Sequence, residues 1–125
     1  MTIAQAPTLA VLQDGTPLFT SHGTWLYPLF ALEAYRAAHA LQPAYLTLQD
    51  TIIGKAAVLL SLRMGLHTVK AGVLSQRGEA VLQCHGIAYS YEQLVERIHC
   101  QTEELLATVE DPEAAYQLVK ARAGR

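Results

Sequence analysis

The sequence predicts an α/β fold, a three-layer α/β/α sandwich built on a mixed sheet of about five strands. From Ala44 onwards, short apolar runs typical of buried strands alternate with helical segments, which favours parallel strands joined by right-handed crossovers. Before them, the turn dipeptide Asp14-Gly15 lies between two apolar runs, as in an antiparallel hairpin. A chain of 125 residues fits a single domain, whose ordered core is expected at about residues 9–120.

Local signals place the individual elements. Proline is tolerated in the first turn of a helix, so Pro28 is expected to open a helix that ends near His39. A second start signal is Ser90, whose hydroxyl can cap a helix while Gln93 reaches back. The elements are expected in this order: strands at 9–12 and 17–20, the first helix, a strand at 44–48, a helix at 52–64, a strand at 68–74, a helix at 78–84, a strand at 87–89, and two or three C-terminal helices, one of them opened by Asp111-Pro112.

Composition excludes several classes of partner. The formal net charge is −2, and no cluster of basic residues is present, which argues against nucleic acid and against an anionic membrane surface. The most apolar stretch, residues 52–64, contains Lys55 and Arg63. It is shorter than the roughly 20 residues that a spanning helix needs. We therefore expect a buried helix and no membrane partner.

The cysteines and histidines do not form a recognisable metal motif. Cys84 and Cys100 are too few for a disulfide framework and lack the paired spacing of a zinc site, and Cys84 is expected in the core. The five histidines include no H-x-x-x-H pair. Nucleotide-binding glycine motifs and the hydrolase elbow are also missing, so no metal and no cofactor are expected. Without an export signal, the expected location is the cytoplasm.

Candidate site residues follow two neighbouring predicted strands. Ligands of such sheets bind beyond the carboxyl ends of the parallel strands. There, Asp50, Gly54 and Lys55 follow one strand and Ser75 follows the next. A lysine in the first turn of an apolar helix opposes the helix dipole and needs a partner. Lys55 either pairs with Asp50, or reaches solvent along its aliphatic stem, or binds an anionic ligand together with the free amides of the helix start. Ser75 is either a helix cap or a ligand contact.

A second group of candidates lies near the C-terminus. Cys100 and Glu103 stand at a possible helix start, where the pKa of a thiol is lowered and a carboxylate can act as a base. The alternative is structural, since a free cysteine is commonly a small buried apolar residue.

These segments resemble a known family. The resemblance is to the bacterial domain-of-unknown-function family 1893 over about residues 9–120, and it is carried by 50–60 (DTIIGKAAVLL), 71–75 (AGVLS), 86–92 (GIAYSYE) and 100–103 (CQTE). That family is similar to the cytidine-deaminase-like fold, which agrees with the predicted sandwich.

The resemblance also implies a pocket without zinc. Working deaminases hold zinc with H-x-E and P-C-x-x-C motifs. Near those positions the chain has Gly54-Lys55-Ala56 and Ser75-Gln76-Arg77, so every ligand and the acid–base glutamate are missing. Asp50, Gly54, Lys55 and Ser75 match the family pattern at the pocket. Cys100 and Glu103 match a Cys-Pro-x-Glu-like pattern, except that Gln101 replaces the proline.

The sequence is compatible with three functions and does not decide whether the chain is an enzyme. The first is binding of a nucleotide or ribose-phosphate-like ligand, with Asp50 on the ribose hydroxyls or acting as base or nucleophile, Lys55 on the phosphate and Ser75 adding a hydrogen bond. The second is a non-catalytic homodimeric interaction module, with Trp25, Tyr27 and Phe30 as an aromatic patch in the interface or in the core. The third is sulfur or redox chemistry at Cys100.

Overall fold

A computed structural model describes residues 9–13, 15–21, 26–38, 46–66, 68–96, 105–106, 108–122 and 124. Within these residues the chain forms five strands and four helices: β1 (Leu9–Gln13), β2 (Thr16–Ser21), α1 (Tyr27–Ala38), β3 (Leu46–Ile53), α2 (Lys55–Arg63), β4 (Thr68–Ser75), α3 (Gln76–Cys84), β5 (Ala88–Val95) and α4 (Pro112–Arg122).

The strands form one mixed sheet in the order β2-β1-β3-β4-β5. β1 runs antiparallel to β2 and β3, whereas β3, β4 and β5 are parallel. The hairpin turn has Gly15 at φ 82°, a left-handed conformation that glycine adopts without strain; Asp14 lies outside the described residues. The predicted α/β class, the five-stranded mixed sheet and the N-terminal hairpin are confirmed.

Helix α2 lies at the centre of the helical packing. All of its residues from Lys55 to Ser61 are buried, and it packs against both α3 and α4. This confirms the expectation that a helix with almost no polar face must be enclosed by other elements. Within the part of the chain that the structure describes, no helix is long and apolar enough to cross a lipid bilayer.

A polar cluster around Arg63 joins three helices. The guanidinium of Arg63, at the end of α2, bonds Glu33 of α1 and Glu113 of α4 at 2.6 Å each. It also lies 3.6 Å from the ring centre of Tyr116, whose hydroxyl donates to Glu33 at 2.7 Å. One side chain on α2 thereby fixes the positions of α1 and α4.

Arg63→Met is expected to lower the Tm by roughly 5 °C, because it breaks a network rather than a single surface pair. The hydrogen bond from Arg63 holds the pKa of Glu113 below its ordinary value. Stability from this bond is therefore present near neutral pH and is lost as the pH falls through that lowered pKa. Differential scanning calorimetry of both proteins should show a Tm difference that shrinks on acidification. Arg36→Met, at the end of α1, is the control, and an equal loss in both variants would contradict the network.

The strand at β5 is longer than predicted, and the helix expected from Ser90 is absent. β5 continues through Ser90 to Val95 and pairs with β4 as far as Ser75↔Val95. The Ser90–Gln93 capping signal was wrong because β4 offers backbone partners at seven positions of β5, which outweigh a local cap. The Asp111-Pro112 start signal is confirmed, since the Ala114 amide donates to the Asp111 carboxylate at 2.9 Å.

The boundary between β3 and α2 also differs from the prediction. β3 extends to Ile53, which pairs with Leu74, and α2 begins at Lys55 rather than at Ile52. The apolar run therefore divides between a strand and a helix, a division that periodicity alone does not show. Asp50 consequently lies inside a strand and not beyond its end.

The structure decides the environment of two residues, one of them against expectation. Cys84, expected in the core, is exposed because the buried face of α3 is formed by Val81 and Leu82. Phe30 is 7% exposed and packs on the ring of Tyr116 at 6.1 Å, so it belongs to the core and not to a dimer patch. The other members of that patch, Trp25 and the side chain of Tyr27, lie outside the described residues. The homodimer stays a prediction.

Candidate functional site

The three parallel strands present one row of side chains to the helices. Leu48, Val69 and Tyr89 are cross-strand neighbours in this row, and Leu48 and Val69 are 0% and 1% exposed. The hydroxyl of Tyr89 donates to Glu79 of α3 at 3.0 Å. This row therefore marks the helix-covered face of the sheet.

Further along the strands, the buried positions shift by one residue. Leu74 is fully buried, and its Cδ1 lies 3.3 Å from the position that a Cβ on Gly78 of α3 would take. Leu74 thus faces the helices like Val69, although it lies five positions further along the strand. Strict alternation would point them to opposite faces. The sheet therefore contains an irregularity between these rows, and Ile52 beside it is 56% exposed.

The Asp50 side chain lies at this irregularity and binds its own strand. Its Oδ1 accepts a hydrogen bond from the Thr51 amide at 2.7 Å. The Cα pairs with β4 pass from Asp50↔Ala71 to Ile52↔Val73 and do not include Thr51. A side chain that takes a backbone amide competes with the strand ladder. We attribute the one-residue shift in the pattern of buried positions to this competition.

Gly72 of β4 meets Thr51 at the same level. A Cβ placed on Gly72 would lie 2.6 Å from the carbonyl oxygen of Thr51, a distance that real Cβ atoms do not tolerate. The obstacle is backbone and not a flexible side chain, so it cannot move away without disturbing β3. Only glycine permits this close approach of the two strands.

A cavity of about 420 Å³ opens at the irregularity. It is lined by three consecutive residues of each parallel strand, at 49–51, 70–72 and 90–92. Gln49, Lys70 and Ser90 form a cross-strand row of exposed side chains, one position beyond the row that faces the helices. Successive side chains point to opposite faces of a sheet. The lining of each strand therefore contains positions from both faces of the sheet, and by this alternation Asp50 lies on the face opposite to that of Gln49, Lys70 and Ser90.

Asp50 is the most perturbed acid of the site. Burial raises the pKa of its carboxyl from the ordinary value of 3.8 to about 6, against the opposing effect of hydrogen bonds from Thr51 and Ile52. The same cavity contains two more charged groups, Lys70 and the exposed Glu92. A desolvated carboxyl in a polar cavity is a feature of functional sites, because burying it is unfavourable for folding.

The starts of α2 and α3 meet at the carboxyl edge of the sheet, as the sequence predicts. The carbonyl carbon of Gly54, the N-cap of α2, lies 3.2 Å from the Cβ position of Gly78. Ser75 is fully buried and accepts a hydrogen bond from the Gly78 amide at 3.0 Å. Ser75 is thus the N-cap of α3, one of its two expected roles.

Lys55 has a different ionic partner from the one expected. Its ammonium lies 2.8 Å from Oε1 of Glu110, with the two side chains 4% and 74% exposed. The expected ion pair with Asp50 was wrong, because Asp50 lies within β3 while α4 packs against α2 and brings Glu110 close. Lys55, Gly54 and Ser75 are not among the residues that line the cavity with Asp50. The predicted residues therefore lie at two separate places: Asp50 at the cavity, and Gly54, Lys55 and Ser75 at the carboxyl edge of the sheet.

The remaining candidates cannot be placed. Cys100 and Glu103 lie outside the described residues, and their chemistry stays a prediction. Within the described ranges, no three His, Cys, Asp or Glu side chains are grouped so that they could hold a metal ion.

Sequence reasoning missed most of the cavity. Lys70 and Gly72 are expected within a strand and Ser90 and Glu92 at the start of a helix, so none of the four is expected at a site. One signal was available: a lysine and a glycine inside a strand otherwise built of apolar residues. A glycine within a strand often marks a bulge or a close backbone approach.

Comparison with known proteins identifies the family. The family model of a domain of unknown function, DUF1893, matches residues 3–122 of the chain. The chain belongs to the DUF1893 family. A DUF1893 protein from Thermotoga maritima has a similar crystal structure, with a TM-score of 0.81 and 22% sequence identity over 93% of this chain and 80% of that one. At this identity the likeness shows the fold alone. Among curated proteins, none matches the chain.

Proposed function

We propose that this DUF1893 protein binds a small hydroxyl-rich ligand of the nucleotide or ribose-phosphate class, in the cavity formed by residues 49–51, 70–72 and 90–92. Asp50 receives the hydroxyl groups of the ligand. The proposal includes a cytoplasmic location and a zinc-free relative of the cytidine-deaminase-like fold, as the sequence resemblance implies.

The desolvated carboxyl of Asp50, one of the residues that line the cavity, is the observation that carries this proposal. A carboxyl whose pKa is about 6 can accept hydroxyl hydrogen bonds and can exchange a proton near neutral pH. Among the other lining residues, Gln49, Lys70 and Ser90 supply amide, ammonium and hydroxyl donors. These groups suit a polar ligand with several hydroxyls better than an apolar one.

Thermal-shift titration with nucleosides, nucleoside monophosphates and ribose 5-phosphate tests the proposal. At least one compound is expected to raise the Tm of the wild type, because a ligand that binds only the folded state stabilises it. Asp50→Asn is expected to abolish this shift. Asp111→Asn is the matched control, since Asp111 caps α4 and does not line the cavity, and it should keep the shift.

Two further results are decisive. If no compound shifts the Tm of the wild type, or if the two Asp→Asn variants behave alike, the cavity is not the binding site. Lys55→Met keeps the aliphatic stem and removes the charge beside Glu110. A ligand shift that is lost in Lys55→Met and kept in Asp50→Asn would place the ligand at the carboxyl edge of the sheet instead.

A further inference from the structure

We infer that Tyr91 is the stacking position for the base of a nucleoside or nucleotide, so that ligands with a base bind more tightly than the sugar or sugar phosphate alone. The inference rests on the proposed function and deepens it, because it assigns a residue to the part of the ligand that Asp50 does not bind. It is carried by the position and the packing of the Tyr91 ring.

Tyr91 and Asp50 lie at the same level of the sheet. Asp50 of β3 pairs with Ala71 of β4, and Ala71 pairs with Tyr91 of β5. Cross-strand neighbours at one level point to the same face, so the Asp50 carboxyl and the Tyr91 ring share a face of the sheet. All three residues line the cavity, and Tyr91 is the one aromatic residue among the described lining residues.

The spacing of the strands sets the distance that a ligand has to bridge. Neighbouring strands are about 4.8 Å apart, so the backbones at Asp50 and Tyr91 are about 10 Å apart. Ala71 between them carries only a methyl group, so no long side chain of β4 separates the carboxyl from the ring. A ribose with its base attached can place hydroxyls at Asp50 and the base at Tyr91. Ribose 5-phosphate has no planar group to place on the ring.

The Tyr91 ring is held by its neighbours on the same face. It stacks on the ring of Tyr89, with the ring centroids 6.4 Å apart and the planes inclined by 19°. The Tyr89 hydroxyl in turn donates to Glu79 and accepts from the Gln83 amide, both on α3 and both at 3.0 Å. Tyr91 still remains 43% exposed. An exposed ring whose position is already fixed loses little conformational entropy when a base stacks on it.

Stacking on Tyr91 selects for the presence of a base and not for a particular base. Every nucleobase has a flat π-face, and its stacking on an aromatic side chain tolerates changes of base. The contact also makes no demand on the phosphate group. Nucleosides and nucleotides are therefore both accepted.

Isothermal titration calorimetry on the full chain tests the inference with cytidine monophosphate and adenosine monophosphate against ribose 5-phosphate. The nucleotides are expected to bind about tenfold more tightly than ribose 5-phosphate. Tyr91→Leu should reduce this ratio to about one, since leucine has no ring, whereas Tyr91→Phe should keep it. Tyr35→Leu is the matched control, because Tyr35 packs on Phe19 and does not line the cavity, and it should leave the ratio unchanged.

The outcomes separate the inference from the proposed function. If ribose 5-phosphate binds the wild type as tightly as the nucleotides do, the inference is wrong while the binding function stands. The inference is also overturned if Tyr91→Leu keeps the ratio, if Tyr91→Phe loses it, or if Tyr35→Leu changes it as much as Tyr91→Leu does. If Tyr91→Leu binds neither class of ligand, the ratio in Tyr91→Phe decides. If no compound binds the wild type, both fall.

Discussion

Gly72→Ala is expected to destabilise the protein by about 3 kcal/mol, the upper part of the range for inserting a methyl group into a packed region. The added Cβ would lie 2.6 Å from the Thr51 carbonyl oxygen, so β3 and β4 must separate at the centre of the sheet. Urea denaturation followed by circular dichroism measures the free energy of unfolding. The variant should unfold at a lower midpoint with an unchanged slope.

Gly86→Ala distinguishes this steric effect from a conformational one. Gly86 has a φ of 65°, and a Cβ placed on it meets nothing within 4 Å. Its substitution should therefore cost only the strain of a left-handed residue, roughly 1–2 kcal/mol. If Gly72→Ala costs no more than Gly86→Ala, the close approach of Thr51 and Gly72 does not exist in solution.

Asp50→Asn is expected to stabilise the protein at pH 8 by on the order of 2 kcal/mol and to leave its stability almost unchanged at pH 4. The pKa of Asp50 is raised on folding, from 3.8 to about 6, so the folded chain binds the proton more tightly than the unfolded chain. The wild type therefore loses stability as the pH rises from about 4 to about 6. A neutral asparagine escapes that loss and still accepts the Thr51 hydrogen bond.

Chemical denaturation of both proteins across this pH range gives the comparison. Glu92→Gln is the control, because Glu92 is an exposed acid of the same cavity and its substitution should change stability little at either pH. A stability difference between wild type and Asp50→Asn that does not vary with pH would show that the carboxyl is not desolvated in the folded protein.

Gly72→Ala and Asp50→Asn together show how stability and ligand binding are related in this protein. Gly72 is required for the close approach of β3 and β4. The Asp50 carboxyl is unfavourable for folding, and its role in binding the proposed ligand accounts for its presence. A substitution that raises stability and removes ligand binding is the behaviour expected of a residue placed for function. Asp50→Asn should show both effects in the same preparation.

Local signals in the sequence were sufficient for most elements. The Asp14-Gly15 dipeptide, the Asp111-Pro112 cap and the Ser75 cap each act within a few residues, and each of the three elements formed where it was expected. The alternation of strands and helices likewise predicted the α/β class. These features depend on backbone conformation and short-range hydrogen bonds, which neighbouring residues determine.

Local sequence signals gave the wrong secondary structure where a strand distant in sequence offered backbone hydrogen-bond partners. At Ser90, the pairing of β5 with β4 replaced the expected helix, and at Ile52 the same kind of pairing extended β3. Local capping is worth about 1 kcal/mol. Pairing with β4 at seven positions outweighs it, although most of β5 is exposed.

The sequence by itself determined the order of the elements, the buried character of α2 and the meeting of Gly54 and Ser75 at one edge of the sheet. Only the tertiary structure decided that Lys55 pairs with Glu110 and that Asp50 shares a cavity with Lys70 and Glu92. The reason is physical: ion pairs and cavities join residues that are far apart in the chain, and their partners are fixed by how helices and strands pack. The irregularity in the parallel strands also became visible only in the structure, where the pairs of β3 with β4 and of β4 with β5 both skip the level of Gly72.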